Sequence, residues 1–328
     1  MKCGSLRRRG LLLAAFSLLI AAVAVQPARA EYPDRPVKIV LPLGPGGVGD
    51  ISARILADKL GEKLGQRFII ENMPGVAGIS AMRSVISQPN DGYTLMLNTG
   101  GIASSMPLFN KFPVEVLKDL EPVSSVGFFD CLLVTSDQSG YKTLGEFIAA
   151  AKANPGKLNI GTISAGGAQN LTANYFKQAA GIDVVIIPFK TTPETIIALM
   201  RNDVQMVVEF YAGLSGNLND GKLKPLAWAG SQPSPALPNL KTADAQGVKN
   251  FDAVSWNAIY AKTGTPPAII ATLNKAIGEV IADPVVKKKF LDLGVDAKAS
   301  TPAEIDAKMR SDIQKWAKVI DGAGIPKQ

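Results

Sequence analysis

The chain has 328 residues, of which 47% are hydrophobic, and a formal net charge of +7. It contains no histidine, which excludes histidine-based catalytic triads and most zinc sites. Its two cysteines are too few for a thiolate metal cluster. We therefore expect neither a metal ion nor a cofactor.

The first 30 residues have the pattern of a secretory signal peptide. Basic residues at the start (Lys2 and Arg7 to Arg9) precede an apolar stretch from Leu11 to Val25, and a small-x-small end follows at Ala28-Arg29-Ala30. The apolar stretch is short for a membrane span. We predict export to the periplasm, with cleavage near Ala30.

Cleavage would change the charge of the chain. The leader carries five of the 35 Lys and Arg and none of the 28 Asp and Glu, which leaves 30 basic residues against 28 acidic ones and a net charge of +2. No basic patch with interleaved aromatic residues follows, so we expect no nucleic-acid partner. Cys131 would be the only remaining cysteine, and its apolar surroundings predict a packed core thiol. The remaining length suffices for two domains.

Short apolar runs alternate with amphipathic stretches along the chain. This alternation predicts an α/β fold with a mostly parallel sheet in each of two domains. Two segments, Gly127–Asp130 and Lys224–Ala229, indicate crossings between the domains. Residues 31–128 and 229–328 would then form domain 1, and residues 129–228 domain 2. The predicted strands are Ile39–Leu43, Phe68–Ile70, Tyr93–Leu97, Val123–Val126, Cys131–Thr135, Leu158–Ile160, Val184–Phe189 and Val204–Glu209; the predicted helices begin near Asp50 or span Ile79–Ile86, Thr143–Ala153, Leu171–Ala179 and Pro193–Met200, with two more in the tail.

The loop after the first predicted strand places Gly44, Gly46 and Gly49 at G-x-G-x-x-G spacing, with Glu71 at the end of the next strand. This pattern is typical of dinucleotide-binding units, so an NAD-dependent oxidoreductase is one alternative. Pro45 removes one backbone N–H that a pyrophosphate would use. The start of the following helix suits any anion, because its unpaired N–H groups and dipole favour a carboxylate as well as a phosphate.

Three short motifs match, in order, the signatures of penicillin-recognising serine enzymes: Ser139-x-x-Lys142, Ser255-x-Asn257 and Lys262-Thr263-Gly264. Such enzymes place the serine at the start of a helix, whereas Ser139 lies in a predicted turn and Thr143 is the predicted helix cap. The last two motifs are also too close in sequence to form separate elements. An acyl enzyme is therefore a weaker alternative.

Four segments share one design, in which a strand end leads through small or polar residues into a helix start. Micromolar binding needs about 8 kcal/mol, whereas one charge-assisted hydrogen bond contributes roughly 1.5–3 kcal/mol and one helix terminus roughly 0.3–2 kcal/mol. Several segments must therefore act together, and we predict a cleft that closes on its ligand. The four segments are Gly44–Asp50, Asn98–Ser104, Ser164–Asn170 and Lys190–Glu194.

Several sequence blocks in fixed order carry a family resemblance. They are L-P-x-G-P-G-G-x-x-D from Leu41, I-I-E-N-M-P-G-V-A-G (Ile69–Gly78), P-N-D-G-Y-T-L (Pro89–Leu95), L-K-D-L-E-P-V-S (Leu117–Ser124), F-K-Q-A-A-G (Phe176–Gly181), S-P-A-L-P (Ser234–Pro238) and the end around Trp316. Through these blocks the chain resembles the Bug-type periplasmic solute-binding proteins of tripartite tricarboxylate transporters, over about Tyr32 to Gly324.

The resemblance implies a two-domain Venus-flytrap protein of type II topology that acts without catalysis. Such a monomer would capture a small organic carboxylate, chiefly through backbone amides, hydroxyls and waters, and deliver it to membrane permease subunits. Signalling to a sensor protein is a further alternative. The implied ligand-binding residues are Leu43, Gly46, Gly47, Asp50, Thr99, Gly100, Gly101, Ile102, Ala103, Ser164, Ala165, Gly166, Gly167, Ala168, Gln169, Asn170, Phe189, Thr191, Glu209 and Phe210.

The chain departs from the family pattern at three of these positions. Asn170 stands where relatives commonly have histidine, Thr191 where glycine usually follows I-P-F-K, and Glu209 where aspartate is more common. A glutamate would repel an anionic ligand unless it accepts hydrogen bonds. These departures concern the identity of the ligand rather than the binding role.

Several implied residues also have a purely structural interpretation. Asp50 can be a helix cap, Gly46 and Gly47 can serve turn geometry, and Glu209 can be a solvated strand end. Leu43, Phe189 and Phe210 can be core residues just below the cleft. Lys190 is left out, because a residue next to Phe189 on a strand points to the opposite face.

Overall fold

The computed structural model describes residues 32–163 and 166–327. The predicted signal peptide therefore lies outside the described residues. Arg35–Gln328 forms one compact unit. Within the described ranges, no helix combines the length and the hydropathy needed to cross a bilayer.

Two five-stranded sheets organise this unit. The strands are β1 (Val37–Leu41), β2 (Phe68–Asn72), β3 (Thr94–Thr99), β4 (Leu120–Phe129), β5 (Cys131–Thr135), β6 (Asn159–Ile163), β7 (Val185–Phe189), β8 (Met206–Phe210), β9 (Lys224–Trp228) and β10 (Ser255–Lys262). The helices are α1 (Val48–Leu64), α2 (Ile79–Ile86), α3 (Gly100–Ser105), α4 (Val116–Asp119), α5 (Leu144–Ala153), α6 (Ala168–Ala180), α7 (Thr192–Met200), α8 (Tyr211–Asn219), α9 (Pro267–Ala282), α10 (Pro284–Asp292) and α11 (Pro302–Ala323).

Each sheet is mixed rather than mostly parallel, and on this point the sequence prediction is wrong. In the first sheet the order is β2-β1-β3-β10-β4, with β1 parallel to β2 and β3, and β10 antiparallel to β3 and β4. In the second sheet the order is β7-β6-β8-β5-β9, with β6 parallel to β7 and β8, and β5 antiparallel to β8 and β9. Both β5 and β10 enter from the other sheet, so no crossover helix returns the chain to run parallel.

The central strands are mostly apolar in sequence because both of their faces are buried. Strands β1, β3, β5 and β10 are buried along most of their length, because helices cover both faces of each sheet. β1 ends at Leu41 rather than at the predicted Leu43, since Pro42 has no N–H to continue the ladder. Beyond Leu41 the chain is free to form the loop that precedes α1.

The C-terminal helix α11 connects the two cores. Its first half places Ile305 and Met309 in the core of the first sheet, beside Trp256. Its second half places Trp316 and Ile320 in the core of the second sheet. We refer to each sheet with its packed helices as a lobe, and α11 therefore belongs to both lobes.

Candidate functional site

A cavity of about 940 Å³ lies where the two lobes face each other. Its volume falls within the roughly 300–1,000 Å³ usual for small-molecule sites. The first lobe contributes the loop after β1, the end of β3 and the start of β10, and the second contributes the ends of β6, β7 and β8. We call this space the interlobe cavity.

The loop after β1 delivers the start of α1 to the interlobe cavity. Gly46 has φ = 89°, a left-handed conformation that favours glycine. Gly47 is the N-cap of α1, and no described side chain caps the helix there. Gly47, Val48 and Gly49 line the cavity, so the free N–H groups of the first helical turn are available to an anion.

Asp50 holds this loop in place from behind. It is only 2% exposed, and its carboxylate accepts hydrogen bonds from the backbone N–H of Gly46 at 2.9 Å, from Arg54 and from Asn72. Asn72 also donates to the carbonyl oxygen of Leu43 at 3.0 Å. Burial raises the pKa of Asp50, but the hydrogen bonds from Arg54, Gly46 and Asn72 outweigh burial and lower it overall. Asp50 is thus an ionised scaffold of the loop.

The second lobe repeats this design at the start of α6. Gly167 is the N-cap, and within the described residues no side chain caps the helix. Asn170 takes the place of Asp50, since its Oδ1 accepts from the backbone N–H of Gly166 at 3.1 Å and its Nδ2 donates to Thr162 at 3.2 Å. Ala168 and Gln169 line the cavity. We call the first turns of α1 and α6 the two open helix starts.

The other two predicted loops differ, because threonines cap the helices that follow them. Thr99 Oγ1 accepts from the N–H of Ile102 at 3.4 Å, and Thr191 Oγ1 accepts from the N–H of Glu194 at 3.4 Å. Glu194 also accepts from the N–H of Lys190. These turns satisfy several of their own amides, so their threonine hydroxyls are the groups left to face a ligand.

Glu209 is buried behind the second open helix start and is only 3% exposed. Its carboxylate accepts from Gln169 Nε2 at 2.8 Å, Thr192 Oγ1 at 2.7 Å and the N–H of Phe210 at 2.7 Å. Burial raises the pKa of Glu209, and these hydrogen bonds offset only part of the rise. The carboxylate does not line the cavity; it fixes the amide of Gln169, which does.

Comparison with known proteins identifies the family. Residues 52–325 match the family model described as "Tripartite tricarboxylate transporter family receptor". The chain belongs to this receptor family. It is 31% identical over 317 residues to Protein BugT of Bordetella pertussis, covering 95% of this chain and 97% of BugT. The family predicted from the resemblance is therefore confirmed.

Solved structures of similar proteins agree with the fold of this receptor. Rpa4515 of R. palustris with adipate is 26% identical, with a TM-score of 0.80 over 91% of this chain and 100% of that one. MatC from Rhodopseudomonas palustris with bound malate is 28% identical, with a TM-score of 0.74 over 88% of this chain and 100% of that one. The predicted two-lobe periplasmic-binding-protein fold is confirmed.

The receptor places part of the predicted ligand-binding set on the interlobe cavity. The residues that line it are Leu43, Gly47, Thr99, Gly101, Ala168, Gln169, Thr191 and Phe210. The predicted residues that do not line it are Gly46, Asp50, Gly100, Ile102, Ala103, Gly166, Gly167, Asn170, Phe189 and Glu209.

Physical reasons separate the two groups. Ile102 and Ala103 pack into the apolar core of the first lobe, because α3 begins directly after β3 and turns these side chains inward. Phe189 packs partly buried against the second lobe's core. Ser164 and Ala165, also predicted, lie outside the described residues.

Several lining residues were not predicted from the sequence. Lys190 was excluded by strand alternation, yet β7 ends at Phe189, so alternation does not extend to it. Ser255 and Asn257 stood out only as part of an enzyme motif, although polar residues in an otherwise apolar run were a usable signal. Phe129 and Ile163 gave no comparable signal. All five line the cavity.

The charges around the cavity favour an anion over a cation. Among the described lining residues there is one cationic side chain, Lys190, and no carboxylate. Lys190 is exposed. Nor do the described residues contain any group of three side chains able to hold a metal ion.

Proposed function

We propose that this receptor binds a small organic carboxylate in its interlobe cavity and delivers it to the permease subunits of a tripartite transporter. The observation that carries the proposal is the pair of open helix starts, one from each lobe, that face a single cavity. Each start presents backbone N–H groups and the positive end of a helix dipole to an anion.

The magnitudes suit recognition by neutral donors. A hydrogen bond to a charged group contributes roughly 1.5–3 kcal/mol, and micromolar binding needs about 8 kcal/mol. A few such bonds from two helix starts, supplemented by the hydroxyls of Thr99 and Thr191, reach that range. Binding then requires donors from both lobes, which favours lobe closure around the ligand.

The two similar structures support the same ligand class. Rpa4515 was solved with adipate and MatC with malate, and both ligands are carboxylic acids. The family description as a transporter receptor supports a binding role without catalysis and a permease partner rather than a sensor. Together with the leader pattern, it also supports a periplasmic location.

The enzyme alternatives find less support at the site. Glu71, the acid of the dinucleotide pattern, pairs with Lys38 at 2.7 Å and does not line the cavity. Ser139 lies in a 3-10 turn ahead of α5, which Thr143 caps, so it is not at a helix start. Glu71 is therefore not placed to bind a nucleotide in the cavity, and Ser139 does not have the position at a helix start that the acyl enzyme requires.

A ligand panel tests the proposal. We expect a mono- or dicarboxylic acid to raise the melting temperature of the purified protein and to reduce its radius of gyration in solution scattering, because binding to both lobes stabilises the closed form. NAD should change neither quantity. If NAD raised the melting temperature and no acid in a broad panel did so, the result would instead support the oxidoreductase.

A further inference from the structure

Asn257 has a buried, unsatisfied amide in the wall of the interlobe cavity. It lies on β10 in the interior of the first sheet, paired with Thr99 on β3 and Gly127 on β4. The residue is 1% exposed and lines the cavity. Neither Nδ2 nor Oδ1 has a hydrogen-bond partner among the described residues. Native proteins rarely leave such groups unpaired. A buried polar group has lost its hydrogen bonds to water, and if the protein does not replace them the folded state is destabilised.

The position of the amide connects it to the first open helix start. A Cβ built at Gly49 would lie 3.6 Å from both Nδ2 and Oδ1 of Asn257, so the amide lies beside the first turn of α1. The pairing of β10 with β4 also shifts register between Asn257 and Ala258. Irregularities of this kind re-aim side chains and are frequent beside functional sites.

A carboxylate alone cannot satisfy this amide. An amide offers a donor and an acceptor side by side, in either of its two orientations. A carboxylate bound at the first turn of α1 accepts from Nδ2 but offers no hydrogen to Oδ1. A hydrogen-bond donor on the ligand carbon next to the carboxylate would reach Oδ1. Both Nδ2 and Oδ1 of Asn257 would then be hydrogen-bonded.

A hydroxyl suits this donor position better than an ammonium group. The described lining residues supply no carboxylate to balance a positive charge and include the cationic Lys190. Glu209, the acid behind the second lobe's lining, already accepts three hydrogen bonds from the protein. An ammonium ion would therefore lose its hydration without gaining a counter-charge.

We propose that Asn257 is a specificity-determining residue that recognises a 2-hydroxy carboxylic acid, with Nδ2 donating to the carboxylate and Oδ1 accepting from the hydroxyl. The inference rests on the proposed function, since it requires a carboxylate in the interlobe cavity. The inference adds two points to the proposed function: the class of acid that is bound, and the side chain that distinguishes a 2-hydroxy acid from the same acid without the hydroxyl.

Calorimetric titration with matched acids tests the inference. For the wild-type protein we expect malate to bind about tenfold or more tightly than succinate, and 2-hydroxyadipate likewise more tightly than adipate, in whichever pair fits the cavity. In Asn257→Leu, which has a similar shape, the two members of that pair should bind equally. The empty variant should also melt at a higher temperature, because it no longer buries an unsatisfied amide.

Tyr260→Phe provides a matched control on the same strand. The hydroxyl of Tyr260 is also buried without a partner among the described residues, but Tyr260 does not line the cavity. Its removal should raise the melting temperature and leave the preference for the hydroxy acid unchanged. If Asn257→Leu does not fold, Asn257→Ala serves for the same titrations.

The outcomes separate the inference from the proposed function. Equal affinities for hydroxy and deoxy acids in the wild type, or a preference that survives in the Asn257 variants, would overturn the inference while leaving carboxylate binding intact. Tighter binding of aspartate than of malate would overturn the choice of hydroxyl. Failure of every acid to bind would overturn the proposed function itself.

Discussion

Buried polar residues behind the interlobe cavity determine how its lining is presented. Asp50 in the first lobe and Asn170 in the second each accept a hydrogen bond from the N–H of the glycine four positions earlier. Each thereby fixes the chain just before a helix and keeps the following N–H groups free. Asn170 thus has a structural role equivalent to that of Asp50.

The sequence revealed these residues only in part. The alternative interpretation of Asp50 as a helix cap is wrong, because Gly47 is the N-cap of α1, although Asp50 does have a structural role in holding the loop. The bonds of Glu209 to Gln169 and Thr192 depend on two neighbouring helices, and no local pattern encodes them. Asn257 could be noticed in the sequence as a polar residue in an otherwise apolar run, but its unsatisfied amide becomes visible only when β10 lies beside β3 and α1.

Asp130 should make stability depend on pH. It is the single residue between β4 and β5, where the chain passes from one lobe to the other. Burial, with a further contribution from Asp252 and Asp296 that Lys308 and Lys315 only partly offset, raises the pKa of Asp130 from 3.8 to about 7. Between these two values the folded protein retains a proton that the unfolded chain has lost. The free energy of unfolding should therefore fall as pH rises through that window.

Chemical denaturation at several pH values checks this prediction. Asp130→Asn should flatten the fall between pH 3.8 and about 7 and should be more stable than the wild type at neutral pH. Asp58→Asn, which removes an exposed carboxylate from α1, should keep the wild-type profile. An unchanged profile in Asp130→Asn would show that this carboxyl ionises normally in the folded protein.

At the scale of elements, the two open helix starts distinguish α1 and α6 from the other helices at the cavity. A glycine N-cap leaves the first-turn N–H groups to a ligand, whereas a threonine N-cap, as in α3 and α7, uses one of them internally. All four helices start at the cavity, but the first-turn N–H groups of α1 and α6 have no side-chain cap and are available to a ligand. We therefore assign anion binding to these two.

Gly47→Val should block the first open helix start. A Cβ at Gly47 meets nothing within 4 Å, and its φ of −81° is accessible to valine. The added side chain would occupy cavity space in front of the N–H groups without disturbing the protein. We expect carboxylate binding to be lost in calorimetry, with a change in unfolding free energy of under about 1 kcal/mol.

Gly278→Val is the matched control, because a Cβ at this glycine of α9 also meets nothing within 4 Å and the residue does not line the cavity. Its affinity for the acid should equal that of the wild type. Full affinity in Gly47→Val would place the ligand away from α1.

Most elements were predictable because their hydrophobic patterns are strong. The predicted helix Ile79–Ile86 and strand Cys131–Thr135 have the bounds observed for α2 and β5. Strand direction was not predictable in the same way, since β5 and β10 reverse only because they arrive from the other sheet. Helix α8 was missed, because its sequence YAGLSGNLN contains two glycines and little periodic apolar character.

At the scale of the whole molecule, three connections among the described residues join the lobes. Asp130 carries the chain from the first sheet to the second, the chain returns to the first sheet between Ala253 and the start of β10, and α11 packs into both cores. Gly230 packs so closely against Asp130 that a Cβ there would overlap the carboxylate. We therefore expect the lobes to close on a ligand by a hinge motion about these connections.

The two-lobe organisation came from the resemblance rather than from periodicity alone. Alternating strands and helices predicted two sheets, but they did not reveal that α11 would reach into the second lobe. The segment from Ala243 to Ala253 does the same, since its apolar residues pack into the second lobe's core. The domain bounds 31–128, 129–228 and 229–328 thus remain a proposal about which segments move together.

The structure of the protein crystallised with a bound carboxylic acid tests the central claim most directly. We predict carboxylate oxygens about 3 Å from the backbone N–H groups of the first turn of α1 or α6, within the cavity and in contact with both lobes. An acid held by an arginine, or lying away from both open helix starts, would contradict the account.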